Sequence, residues 1–145
     1  MANELLTVCL PPDAGPDLRA AVAAALAPYD MNGTHKPYQG EWDHWRIGCP
    51  GSEFMVVPGH EDDPRLIRDT EKFRGEVREW VPGLCDGGPR RLLDFGAMRA
   101  RTDAVTADHL LTLEGAWAYD YTLDMDSYLD DLPPDTLLVR LRIHC

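Results

Sequence analysis

Leu137-Leu138-Val139-Arg140-Leu141-Arg142-Ile143-His144-Cys145 decides the fold class. Its apolar residues alternate: Leu137, Val139, Leu141, Ile143 and Cys145 fall on one side, and Leu138, Arg140, Arg142 and His144 on the other. Successive side chains of a strand point to opposite faces, so this period of two marks a strand with one face in a core. Its natural neighbour is Leu5–Leu10 (LLTVCL), a second apolar run stopped by Pro11-Pro12. A strand near each end of the chain, with helical patterns between, indicates a sheet whose first and last strands pair.

The intervening segments fill in the order. Asp17 is placed to cap a helix carrying Leu18, Val22 and Leu26 at spacings of four, with alanines between them, ending before Pro28. Residues 28–40 are loop. Trp42–Gly48 reads as an aromatic strand, and Glu53–Val57 as another after the Cys49-Pro50-Gly51 turn. Asp63-Pro64 has the form of a helix start, and Leu66, Ile67, Phe73, Val77, Trp80 and Val81 then predict a helix over 64–81. Asp86-Gly-Gly-Pro89 is a turn cluster, and Asp94 caps a short helix reaching Arg101. His109–Leu113 and Trp117–Tyr121 form a hairpin about Glu114-Gly115, and Met125–Leu132 a short acidic helix before Pro133-Pro134. The expectation is one α+β domain over residues 1–145: a ferredoxin-like split βαβ sheet with inserted helices and a hairpin.

Composition narrows the function. The 145 residues hold 25 acids against 14 Lys and Arg, a formal charge of −11. Such a field disfavours direct non-specific nucleic-acid binding. No apolar run is long enough for a membrane span, and no secretory signal opens the chain, so the expected location is cytoplasmic. Cys9, Cys49, Cys85 and Cys145 contain no C-x-x-C pair and read as reduced thiols. The charge is unevenly spread. Residues 61–102 carry nine acids and nine bases, whereas 103–145 carry nine acids and two bases.

Some residues look familiar. Trp42-Asp43-His44-Trp45-Arg46-Ile47-Gly48 resembles the W-D-W-W-x-x-G-G-R-W strand of a group of small proteins from actinobacteria and their phages. Leu132-Pro133-Pro134-Asp135-Thr136 resembles the L-P-x-D-T that leads into their final strand. Pro89–Met98 also looks like a segment of that group. The resemblance implies a fold and a phage or prophage setting, and no particular chemistry. His44 stands where the group has an aromatic residue, and Cys49, Pro50 and Gly51 where Gly, Arg and Trp follow.

Candidate sites follow from strand parity. Trp42, His44 and Arg46 share one side of their strand, and Arg140, Arg142 and His144 one side of the last. If helices cover a single face of the sheet, these six residues form an open, basic binding face on an acidic protein. Asp43 falls on the opposite side with Trp45 and Ile47, where a buried carboxylate needs an N–H donor. The acids Asp124, Asp126, Asp130 and Asp131 form a docking surface for a basic partner. Asp124-x-Asp126 opens like a calcium loop, but Tyr128 and Leu129 occupy positions that need a ligand and a glycine. No zinc spacing, phosphate-binding glycine loop or nucleophile elbow is present, so no catalytic residue, metal or cofactor is expected. Cys49 near His44 is the one Cys–His pair that would suit an enzyme. The reading is a non-enzymatic interaction protein working through a protein partner or self-association. A binder of a small anionic, nucleotide-like ligand on the basic face is the alternative.

Overall fold

A computed structural model describes residues 3–32, 40–69, 79–101, 105 and 107–144. Its centre is the final strand, β8 (Leu137–His144), an unbroken run of eight residues. Strand β1 (Asn3–Leu10) lies antiparallel along its whole length, from Asn3 opposite His144 to Leu10 opposite Leu137. On the other side of β8 lie β2 (His44–Ile47) and, further along, β5 (Gly87–Pro89), both antiparallel to it. Strand β6 (His109–Leu111) joins the far side of β1 in parallel, and β7 (Trp117–Tyr119) closes the sheet as the hairpin partner of β6. Two short strands, β3 (Phe54–Met55) and β4 (Leu84–Cys85), pair separately.

The molecule is therefore a small α+β domain with a mixed sheet, ordered β2-β8-β1-β6-β7. That order departs from a split βαβ sheet. There, an antiparallel strand stands between the two parallel ones, whereas here β1 and β6 pair directly. The last strand also lies inside the sheet, because the aromatic strand and the Gly-Gly-Pro segment both add to its outer side. The Gly-Gly-Pro segment was expected to be only a turn. Gly87 permits the pairing, since a Cβ there would sit 2.0 Å from the Leu138 carbonyl oxygen.

Helix α1 (Leu18–Leu26) covers one face of the sheet. Asp17 caps it, its Oδ1 accepting from the Ala20 N–H at 3.2 Å. The buried Val22 and Leu26 then pack with Leu6, Val8, Leu10, Val139, Leu141 and Ile143. The opposite face is covered too. Helices α2 (Phe95–Ala100) and α3 (Met125–Asp131) supply Met98, Met125 and Leu129, which cluster with Phe54, Cys85, Cys9 and Leu138. Asp94 caps α2 as expected, accepting from Ala97 N–H at 2.9 Å, and Asp124, read from the sequence only as a surface acid, caps α3 by accepting from Ser127 N–H at 3.1 Å.

The described part of the 64–81 helix is not helical. Asp63 Oδ1 accepts from the Arg65 N–H at 2.9 Å, a local turn that competes with helix initiation. Ile67 then bridges to Gly87, donating to its carbonyl at 2.8 Å and accepting from Asp86 N–H at 2.7 Å. Those bonds claim the backbone that a helix would need. Phe73 and Val77 lie outside the described residues.

Candidate functional site

The six residues expected on one open face are not gathered on one surface. Parity is right for five of them: His44 pairs opposite His144, and Arg46 opposite Arg142, so these four share a side with Arg140. That side is covered where Arg140 lies, and Arg140 is only 1% exposed. Its Nε donates to Thr7 Oγ1 at 3.2 Å, Nη1 to the Ser52 carbonyl at 2.9 Å, and Nη2 to the Val105 carbonyl. The guanidinium also lies 4.3 Å from the centre of the Phe54 ring. Burial lowers its pKa from 12.5 to about 10. Arg140 thus holds the core together instead of presenting a charge to a ligand.

Trp42 turns toward the other layer. Its Nε1 donates to the Leu26 carbonyl at 2.9 Å, satisfying an acceptor at the end of α1. Arg46 lies 3.7 Å from Asp69 Oδ2, and Arg19 of α1 reaches Asp69 Oδ1 at 3.3 Å. Asp43 is exposed, not buried, because it stands in a bend before β2 where strand parity no longer applies. Its Oδ1 is 2.6 Å from His144 Nδ1.

The acidic stretch is also tied up. Asp126 and Asp130 share Arg99 Nη2, at 2.9 and 3.2 Å, and Asp124 is spent on its cap, leaving Asp131 as the plain exposed acid. Among the described residues, no three His, Cys, Asp or Glu side chains are grouped as a metal ion would need.

Among the described residues, a more enclosed concavity lies elsewhere. A cleft of about 500 Å³ separates the 3-10 turn Pro12–Asp17 and the start of α1 from residues 64–67. Pro12, Leu18, Pro64, Leu66, Ile67 and Leu137 give it apolar walls. Arg65, Arg91 and Asp135 add polar groups to the lining. Asp135 Oδ1 accepts from Arg91 Nε at 2.9 Å and stands 4.0 Å from Arg65 Nη1. Asp63 grips the other edge of Arg65, with Nε at 3.0 Å and Nη2 at 2.8 Å. A more open hollow adjoins the cleft, sharing Gly15, Leu18 and Ile67 and reaching Arg19 and Asp69.

None of these cleft residues was legible as a site in the sequence. Pro12, Pro64 and Pro89 mark three separate turns, which the pairing of β1 and of β5 with β8 and the bridge from Ile67 to Gly87 bring together. The one usable signal was the charge distribution, since Arg65 and Arg91 belong to 61–102, where nine bases balance nine acids in an otherwise acidic chain.

A second cluster stands at the other side of the sheet. His109 faces Glu4 through Nε2, while its Nδ1 lies 3.1 Å from Trp117 Nε1. With both ring nitrogens engaged, His109 has no free nitrogen to serve as a general base in this arrangement.

Among the described residues, no helix is long and apolar enough to cross a membrane. Compared with protein-family models, curated proteins and solved structures, the chain matches none of them.

Proposed function

We propose that this chain works by non-covalent recognition and that it takes a small amphipathic anion, with an apolar body and a carboxylate or phosphate head, in the cleft between residues 12–18 and 64–67. The observation that carries this reading is an aliphatic and proline-lined cleft with two arginines in its lining. Its volume of about 500 Å³ lies within the range of roughly 300–1,000 Å³ typical of small-molecule sites, which combine apolar walls with a few placed polar groups.

The arginines suit an anionic head. Arg91 engages Asp135 through Nε alone among the described residues, which leaves its two Nη groups as donors. Arg65 Nη1 stands 4.0 Å from the same carboxylate, beyond hydrogen-bond distance, so an incoming oxyanion can accept from it in place of Asp135. Burying the tail against Leu18, Leu66 and Leu137 supplies the hydrophobic part of the affinity.

Octanoate is a suitable probe, with octanol as its uncharged counterpart, in isothermal titration calorimetry. The expected result is saturable binding of octanoate that weakens about tenfold in Arg91→Gln, equivalent to about 1.4 kcal/mol. Octanol should bind no better than that variant binds octanoate. Equal binding of octanoate by the wild type and by Leu18→Trp, which fills the cleft, would overturn the assignment.

A further inference from the structure

Indole N–H groups donate hydrogen bonds and cannot accept them. The contact from Trp117 Nε1 to His109 Nδ1 therefore requires a lone pair on Nδ1. A neutral His109 must carry its proton on Nε2, where it donates to the Glu4 carboxylate. One tautomer is selected, by residues from three strands.

We infer that Glu4, His109 and Trp117 form a proton-operated clasp that holds the β6–β7 hairpin against the end of α1 when His109 is neutral and releases it when His109 is protonated. A second proton, taken from solvent, can enter the ring only at Nδ1. The imidazolium then donates at both nitrogens and meets the indole N–H donor to donor. The Trp117 hydrogen bond breaks, and the Glu4 contact becomes an ion pair that keeps the ring in place.

Trp117 transmits the event. Its ring packs against Tyr29 with centroids 5.1 Å apart, and the Tyr29 hydroxyl donates to the Gly115 carbonyl at the hairpin tip at 2.5 Å. Tyr29 ends the 3-10 turn Ala27–Tyr29 that continues α1, and its own carbonyl accepts from Glu41 N–H at 2.7 Å. Loosening Trp117 thus acts on the contacts that join the hairpin to the helix.

The other titratable groups around the ring leave Nδ1 to Trp117. Tyr119 of β7 meets the imidazole edge-on at 5.2 Å and directs its hydroxyl to Glu41. Tyr121 stacks on Tyr119, and Asp108 accepts from Leu5 N–H at 2.8 Å.

The test is nitrogen-15 NMR of the intact chain, following the imidazole nitrogens of His109 and the indole N–H of Trp117 between about pH 8 and about pH 5. Trp117→Phe identifies the indole resonance by its loss. The expected result is an Nε2–H tautomer at the upper pH and a shift of the Trp117 indole resonance in the same step that doubly protonates His109. In His109→Gln, the side-chain oxygen can accept from Trp117 while its amide donates to Glu4, so the indole resonance should persist without a step. An Nδ1–H tautomer in the wild type would overturn the clasp. So would a protonated ring beside an unmoved Trp117 resonance, or a step that survives in His109→Gln. The wild-type tautomer decides the matter even if either variant fails to fold.

Discussion

At Arg140, charge and burial meet in one side chain. A guanidinium that gives up water must recover its hydrogen bonds from the protein, and Thr7, Ser52 and Val105 provide acceptors while Phe54 provides a ring face. Arg140→Met keeps the volume and orphans those acceptors, so it should cost about 3 kcal/mol or more in urea unfolding. A loss below about 0.5 kcal/mol, ordinary for a surface position, would contradict this role. The strand pattern assigned Arg140 to the correct side of the sheet. What it could not show is that Phe54, Cys85 and Met98 cover that side, since they come from short segments with little periodic signal. Gly48 illustrates the same limit. It stands at φ +88, and a Cβ there would come 2.8 Å from both oxygens of the buried Asp86 carboxylate. Gly48→Ala should therefore destabilise by about 2 kcal/mol or more, read by the same unfolding measurement. The thiols follow burial as well. Desolvation pushes Cys9 up to about 12 and Cys85 up to about 11. In alkylation of native protein followed by peptide mapping, the half-buried Cys49 should react before either of them. Modification of Cys9 or Cys85 ahead of Cys49 would contradict it.

Among the elements, those with capping chemistry were the most legible. Asp17 and Asp94 each accept a backbone N–H at a helix start, as their placement suggested, and Asp124 does the same at α3 although only its charge stood out in the sequence. Asp17→Ala should cost about 1 kcal/mol in thermal or urea unfolding. The segment after Asp63 departs from its helical pattern because Asp-Pro serves helix starts and turns alike, and its outcome depends on the distant backbone of Gly87. The turn leaves a signature in pH dependence. Hydrogen bonds from Arg65 hold the Asp63 carboxyl down at about 2 against an ordinary 3.8. A depressed carboxylate stabilises the fold above its unfolded value, so this contribution is present at neutral pH. It fades as pH falls from about 4 to about 2. Asp63→Asn keeps the turn acceptor without the charge, and its unfolding midpoint should fall less steeply than the wild type's over that window. Parallel curves would show that the Arg65 contact adds no stability.

On the scale of the whole molecule, the central sheet is covered on both faces, and the concave surface is displaced to the seam between the α1 layer and the chain around β5. The first and last strands pair as their patterns indicated, but the sheet grows outward past β8, and the basic face disperses into a buried arginine, a helix-end cap and ion pairs. The cleft consequently rests on long-range topology, which no local motif encodes. The most direct measurement is amide NMR of the labelled chain during titration with octanoate. The account predicts saturable shifts concentrated at Gly15, Leu18, Leu66, Ile67 and Leu137, all of them lost in Leu18→Trp. Shifts confined to the β2–β8 surface around His44 and Arg142, or no saturable shift at all, would contradict it.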